Sequence, residues 1–262
     1  MDSSIVTRFA RSRRPGVFLD FDGTLSEIVE VPWKARPVAG ARELLESLGE
    51  RFTVAAVVSG RSARQLLEWL GPDIEVWGVH GAERTQGGEV LLSDRAEPYS
   101  ELMARVRSEA RRRLDELAVD GALLEDKGVV LNLHYRTALD RGRAERELLA
   151  LAEELSDEYG LVLARGRLTI ELRPPVEFSK QDVICERATA EDLDAIMFIG
   201  DDIVDLPAFD ALDELARDGS FTVRVAVRSD ESPPELLERA DLVVEGPLGV
   251  VELLDHLVSV AE

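Results

Sequence analysis

A single cysteine, Cys185, leaves this chain of 262 residues unable to close an intramolecular disulfide, which fits a reducing cytoplasm. Its setting, DVICERA, reads as a helix packing position rather than a reactive thiol. No apolar run is long enough to span a bilayer. The N-terminus carries Arg8, Arg11, Arg13 and Arg14 but no apolar stretch of the kind a secretion signal needs. Residues 1–15 therefore read as a flexible lead-in ended by Pro15-Gly16. Positive charge is scarce as well: 31 Lys and Arg face 52 Asp and Glu, for a formal net charge of -21. A surface this acidic repels nucleic acid and anionic membranes, which argues against both as partners. It also requires any anionic substrate to meet a locally positive pocket or a bound cation. The sequence sets no oligomeric state, and a monomer is compatible with it. Hydrophobic residues still make up 45% of the chain, enough for a buried core.

Short apolar runs recur, and each stops at polar residues. They are VFLDF (17–21), TVAAVV (53–58, before Ser59-Gly60), IMFI (196–199, before Gly200-Asp201-Asp202), FTVRVAV (221–227) and LVV (242–244). Nearly continuous apolar strands belong in a parallel sheet covered on both faces. Helical patterns lie between them, at Ala41–Leu48, Ser62–Leu70, Pro234–Ala240 and Leu248–Val258. This alternation predicts a doubly wound, Rossmann-like α/β fold, whose ligand site lies at the carboxyl ends of the strands.

Residues 99–176 follow another pattern. A charged helix (about 99–118) precedes strand-like runs at 121–125 and 129–135. A second helix (about 140–158) precedes runs at 161–165 and 168–172. Lys127-Gly128 and Arg165-Gly166 read as hairpin turns. This αββαββ block predicts an inserted α+β domain, with residues 1–98 and 177–262 forming the two parts of the core. Prolines mark both junctions.

Asp20 and Asp22 stand one residue apart at the end of a strand, where their charges repel. A cation such as Mg²⁺, for which Asp is a hard oxygen ligand, relieves this. Gly23 permits a sharp turn and opens backbone N–H groups to an anion. Thr24 can hydrogen-bond across that turn. The string VFLDFDGTL resembles the first motif of the haloacid dehalogenase superfamily. The resemblance implies that Asp20 attacks phosphorus to form an aspartyl-phosphate. It implies that Asp22 protonates the leaving oxygen and then activates water. Dehalogenases lack an acid at the second position and transport ATPases carry Thr there, so Asp22 points to a phosphatase or mutase.

The same resemblance assigns the other strand ends. Ser59, with Gly60, corresponds to the second motif and binds phosphate; read alone, Ser59 serves equally as a helix N-cap. Arg61 contacts substrate or links the domains. Lys180, the only lysine beyond Lys127, corresponds to the third motif and holds nucleophile and phosphate, although Gln181 stands where many relatives have Gly. In GDDIVD, Asp201 is the expected metal ligand beside Asp20 and the main-chain carbonyl of Asp22. Asp202 or Asp205 then binds metal waters or orients Lys180.

In the insertion, Glu125 and Lys127 lie two apart, as do His134 and Arg136, so each pair shares a face while a strand continues. Taken singly these are ordinary solvent-facing charges. Together GVHGAE (78–83), EDKG, LHYR and ELRP resemble the trehalose-6-phosphate phosphatase pattern. That likeness implies Glu125, Lys127, His134, Arg136 and Glu171 as sugar contacts, with His80 near the domain junction. It implies a small-molecule sugar phosphate as substrate, with trehalose and phosphate as products. The chain departs from the usual GDDxTDE at Val204 and Leu206-Pro207. Sucrose-phosphate, mannosyl-phosphoglycerate and hexose-phosphate phosphatases are alternatives of the same type. A catalytically inactive sugar-phosphate sensor is an alternative of another class, and a phosphomutase a third.

Overall fold

The computed structural model describes residues 3–29, 32–230 and 232–261. The chain divides into two compact units: Met1–Leu91 with Phe178–Glu262, and Leu92–Glu177.

The first unit begins with α1 (Ser3–Ala10), β1 (Pro15–Leu19), α2 (Ala41–Arg51), β2 (Val54–Val58), α3 (Ala63–Leu70), β3 (Glu75–Gly78), β4 (Glu83–Gln86) and β5 (Glu89–Leu92). The second contains α4 (Ser100–Leu117), β6 (Leu123–Lys127), β7 (Val130–His134), α5 (Arg141–Tyr159), β8 (Val162–Gly166) and β9 (Thr169–Arg173). The chain then completes the first unit with α6 (Lys180–Ala190), β10 (Ala195–Gly200), α7 (Leu206–Arg217), β11 (Phe221–Arg228), α8 (Pro234–Arg239), β12 (Leu242–Glu245) and α9 (Gly246–Val260).

The large sheet runs β12-β11-β10-β1-β2-β3-β4-β5. It is parallel from β12 to β3, and β4 returns antiparallel to β3. Alternation along β1 explains why both faces must be covered. Val17 and Leu19 enter one core with Val57, Met197 and residues of α1, α2, α3 and α9. Phe18 enters the other with Ala56, Ile196, Phe198 and residues of α6, α7 and α8. A strand apolar on both faces is stable only between two helical layers.

Residues 3–10 correct the expectation of a flexible lead-in. Val6 and Phe9 are fully buried and Ala10 nearly so, at spacings that share one helical face. Phe9 meets Phe52 edge to face at 5.7 Å. Arg8 within the stripe and Arg11, Arg13 and Arg14 after it hid this pattern. Met1 and Asp2 lie outside the described residues.

In the second unit, four antiparallel strands run β6-β7-β9-β8. Leu131, Leu133, Ile170 and Leu172 are buried, on the face that meets the apolar sides of α4 and α5. Asp126 points the same way and accepts from Arg107 of α4 at 2.6 Å. Glu125, Asn132, His134 and Glu171 alternate onto the opposite face. The hairpin turns fall later than expected. Lys127 pairs with Val130 and Gly166 with Thr169, so the turns are Gly128-Val129 and Arg167-Leu168. Leu168 takes the left-handed conformation, φ 62, which its side chain gave no reason to expect. Among the described residues, no helix is long and apolar enough to cross a membrane.

Candidate active site

Parallel strands β1 and β10 lie side by side, so the residues that follow them meet. Asp20 follows β1 and donates its N–H to Ile199 at 2.9 Å. Asp201 follows β10. Lys180 opens α6, whose N-cap Ser179 accepts from the Asp182 N–H. The Lys180 Nζ lies 2.6 Å from Asp20 Oδ1 and 2.6 Å from Asp205 Oδ1. Asp205 is fully buried. Its Oδ2 accepts from the N–H groups of Asp201 at 3.0 Å and Asp202 at 3.2 Å. Of the two roles expected for Asp205, the geometry gives it the orienting one toward Lys180. Asp202 is exposed and caps the next turn, accepting from Ile203 N–H at 2.6 Å.

Asp20, Asp201 and Asp205 bring carboxylate oxygens within 4.8 Å of one another. Three buried carboxylates against one ammonium leave an excess of negative charge. Burial pushes the Asp20 carboxyl up to about 7, with Lys180 opposing the rise and Asp205 adding to it. Burial, then Asp20 and Asp205, pushes Asp201 up to about 8. Burial alone would lower the Lys180 pKa, but Asp20 and Asp205 outweigh it and keep the amine charged. Asp205 spends both oxygens within the protein, whereas Asp201 Oδ1 is buried with no hydrogen-bond partner. An orphaned hard oxygen beside a second carboxylate is a donor set suited to Mg²⁺. Gly23 makes room for it: φ is 70°, and a Cβ there would stand 1.9 Å from Asp201 Oδ2. Thr24 Oγ1 is also buried without a partner, so the hydrogen bond expected across the turn is not made.

Asp22 stands apart from the buried trio. Its carboxylate is gripped by Arg61, Nε to Oδ2 at 2.7 Å and Nη2 to Oδ1 at 2.6 Å. Ser59 is buried; its Oγ accepts from Arg61 N–H at 3.3 Å. Ser62, not Ser59, caps α3. Gly60 lies under the His80 ring, and a Cβ on it would meet that ring at 2.8 Å. Cys185 sits half-buried on α6 against the core, and burial pushes its thiol up.

In the second unit, Glu125 Oε2 accepts from His134 Nε2 at 2.8 Å, and Lys127 Nζ lies 3.9 Å from the same oxygen. The His134 contact, first, and Lys127 hold the Glu125 carboxyl below its ordinary range despite burial. Glu171 pairs in register with Asn132. Arg136 is exposed and lies past the end of β7, so no strand carries it onto the face of His134. Two residues escaped the sequence reading. Asn132 is buried opposite Glu125 and Glu171; its place two residues before His134 was the available signal. Glu83 is buried and accepts from Ala63 N–H at 2.7 Å, holding the start of α3.

A sequence profile described as Trehalose-phosphatase matches residues 18–240. An uncharacterised glycosyl hydrolase of Mycobacterium tuberculosis is 34% identical over 97% of this chain and 19% of its own length. A protein of Mycobacterium marinum named trehalose-phosphate phosphatase is 33% identical over 94% of this chain and 62% of its own length. The chain thus spans less than two thirds of these curated relatives. Among solved structures, a trehalose-6-phosphate phosphatase related protein superposes with a TM-score of 0.70 at 23% identity, covering 93% of this chain and 96% of that one. A haloacid dehalogenase-like hydrolase from Bacteroides thetaiotaomicron superposes at 0.58 and 16% identity, covering 93% and 99%. These likenesses establish the fold.

Proposed function

The chain belongs to the trehalose-phosphatase family, and from that premise we propose that it is a Mg²⁺-dependent phosphatase that hydrolyses trehalose 6-phosphate to trehalose and phosphate through a covalent intermediate on Asp20. The observation that carries the chemistry is the buried pairing of Asp20 with Lys180, itself fixed by Asp205. A carboxylate held by an ammonium at one oxygen keeps the other oxygen's lone pairs for attack.

Asp20 attacks phosphorus while Asp22 gives a proton to the departing sugar oxygen. Asp22 then takes a proton from the water that releases phosphate from Asp20. Ser59 and the backbone at Gly60 hold phosphate oxygens, and Lys180 offsets their charge. The carboxylates of Asp20 and Asp201 and the main-chain carbonyl of Asp22 would hold Mg²⁺, with Asp202 on its waters. When bound, the ion offsets the repulsion between the nucleophile and the phosphate. The inserted unit reads the leaving group, and Glu125, Lys127, His134, Arg136 and Glu171 supply charged donors and acceptors for sugar hydroxyls. His80 packs against Gly60 and steadies the phosphate loop.

A phosphate-release panel tests this reading. It calls for Mg²⁺-dependent turnover of trehalose 6-phosphate well above glucose 6-phosphate, sucrose 6-phosphate and mannosyl-phosphoglycerate, with chelator stopping it. Equal rates on trehalose 6-phosphate and glucose 6-phosphate would remove the substrate assignment. A folded protein without turnover on any of them would mark a sugar-phosphate sensor.

A further inference from the structure

The grip of Arg61 on Asp22 is more elaborate than a surface ion pair requires. Both carboxylate oxygens accept from the guanidinium fork, at 2.7 and 2.6 Å, a geometry that fits the ionised acid. The Arg61 side chain is 11% exposed, whereas Asp22 is 42% exposed. The guanidinium carbon lies 5.0 Å from the Trp69 ring centre and 5.6 Å from that of Phe21. Nη1 donates to Gln65 Oε1 at 3.3 Å. The backbone is tied down too: the Arg61 carbonyl accepts from Val79 N–H at 2.8 Å, and the Ser59 carbonyl from His80 N–H at 2.9 Å. Val79 and His80 both hold positive φ, 49° and 57°, a conformation rare for residues other than glycine. A fixed arginine thus presents one acid to solvent.

We infer that Arg61 is a positioning residue for the second half of the reaction, holding Asp22 as the base that receives a proton from water. The inference rests on the function proposed above. In the first half, an Asp20 oxygen bonds to phosphorus and the bond from phosphorus to the sugar oxygen breaks. That oxygen keeps the electron pair and takes the Asp22 proton, which leaves Asp22 as a carboxylate. In the second half, a water oxygen bonds to phosphorus, its proton passes to Asp22, and the Asp20–phosphorus bond breaks with its electron pair returning to Asp20. The carboxylate state that joins the two halves is the state the fork fits. Each Asp22 oxygen keeps a second lone pair for the incoming water. With its fork filled, Arg61 acts through Asp22 rather than on the phosphate.

Rapid-quench measurement of trehalose and phosphate release from trehalose 6-phosphate with Mg²⁺ tests this in wild type, Arg61→Met, Arg61→Lys and Asp22→Asn. In Arg61→Met, kcat falls about 100-fold, the scale of a lost general base. KM falls in parallel, so kcat/KM stays within about threefold, because that ratio ends at phosphoryl transfer to Asp20. Trehalose appears in a burst approaching one per enzyme while phosphate lags. Arg61→Lys, which keeps charge without the fork, shows the same signature more weakly and carries the test if the Met variant does not fold. Asp22→Asn loses the burst as well, since the first half also needs its proton. Loss of kcat and kcat/KM together in the Arg61 variants, without a burst, overturns the inference while leaving the proposed function intact. Absence of turnover in wild type overturns both.

Discussion

Lys180→Met removes the only cation that is buried with Asp20 and Asp205 among the described residues. Each contact spans 2.6 Å, worth about 6 kcal/mol before desolvation at an effective dielectric constant of about 20. Desolvation offsets most of that, and removing one partner of a buried pair costs about 3–5 kcal/mol. For a chain of this size each kcal/mol moves Tm by about 2–4 °C, so the variant unfolds about 6–20 °C below wild type. Methionine matches the stem of lysine in length, which confines the loss to charge. Without the ammonium, Asp20 and Asp205 repel unscreened and the Asp20 carboxyl rises further, so a smaller share is ionised for attack. Turnover falls about 1000-fold, the upper end for loss of one fixed electrostatic group. Thermal unfolding by circular dichroism with chelator, then with Mg²⁺, measures the first effect; Mg²⁺ restores part of the stability because a second cation enters the same cluster. A Tm within about 2 °C of wild type together with normal turnover would refute the electrostatic reasoning.

Metal affinity is expected to depend on pH. Folding raises Asp20 to about 7 and Asp201 to about 8 from 3.8, so the metal-free folded state holds protons the unfolded chain has released. Its stability therefore falls as pH rises from about 4 to about 8. Mg²⁺ competes with those protons and should raise Tm more at pH 8.5 than at pH 6; a shift that does not grow with pH would count against Asp20 and Asp201 as the ligands. Phe9→Ala, in the buried stripe of α1, should cost about 3–5 kcal/mol in denaturant unfolding, and a loss near zero would return residues 3–10 to the status of a lead-in. Lys127→Ala should narrow the preference for trehalose 6-phosphate over glucose 6-phosphate about tenfold, the scale of one hydrogen bond to a charged group. An unchanged ratio would remove Lys127 from the sugar site.

The clustering of Asp20, Lys180 and Asp201 was legible because each ends or begins an element at the carboxyl end of the parallel strands. Asp20 and Asp201 follow neighbouring strands, and Lys180 starts a helix packed behind them. What the sequence did not reveal depends on side-chain partners rather than position. The sequence left open whether Asp202 or Asp205 turns to Lys180; Asp205 does, and it also accepts from two backbone N–H groups, which no spacing announces. Arg61 and Asp22 stand 39 residues apart and meet only because β1 and β2 are adjacent. The fold was missed where elements are short or interrupted. Strands β3 to β5 have four residues each and carry charged positions at the sheet's edge. Helix α1 buries Val6, Phe9 and Ala10 in a segment whose arginines, Arg8 inside it and three more just beyond, dominate the pattern. Asn132 is a polar residue in a largely apolar strand, and only the pairing register sets it between Glu125 and Glu171.

The central claim is that Asp20 carries the phosphoryl group. Acid quench of the enzyme during turnover of trehalose 6-phosphate with Mg²⁺, followed by peptide mass spectrometry, reads this directly. The account predicts one phosphoryl group on Asp20 in wild type, and none in Asp20→Asn, which still binds the substrate but does not hydrolyse it. Near wild-type turnover by Asp20→Asn, or a phosphoryl group on another residue, would contradict it.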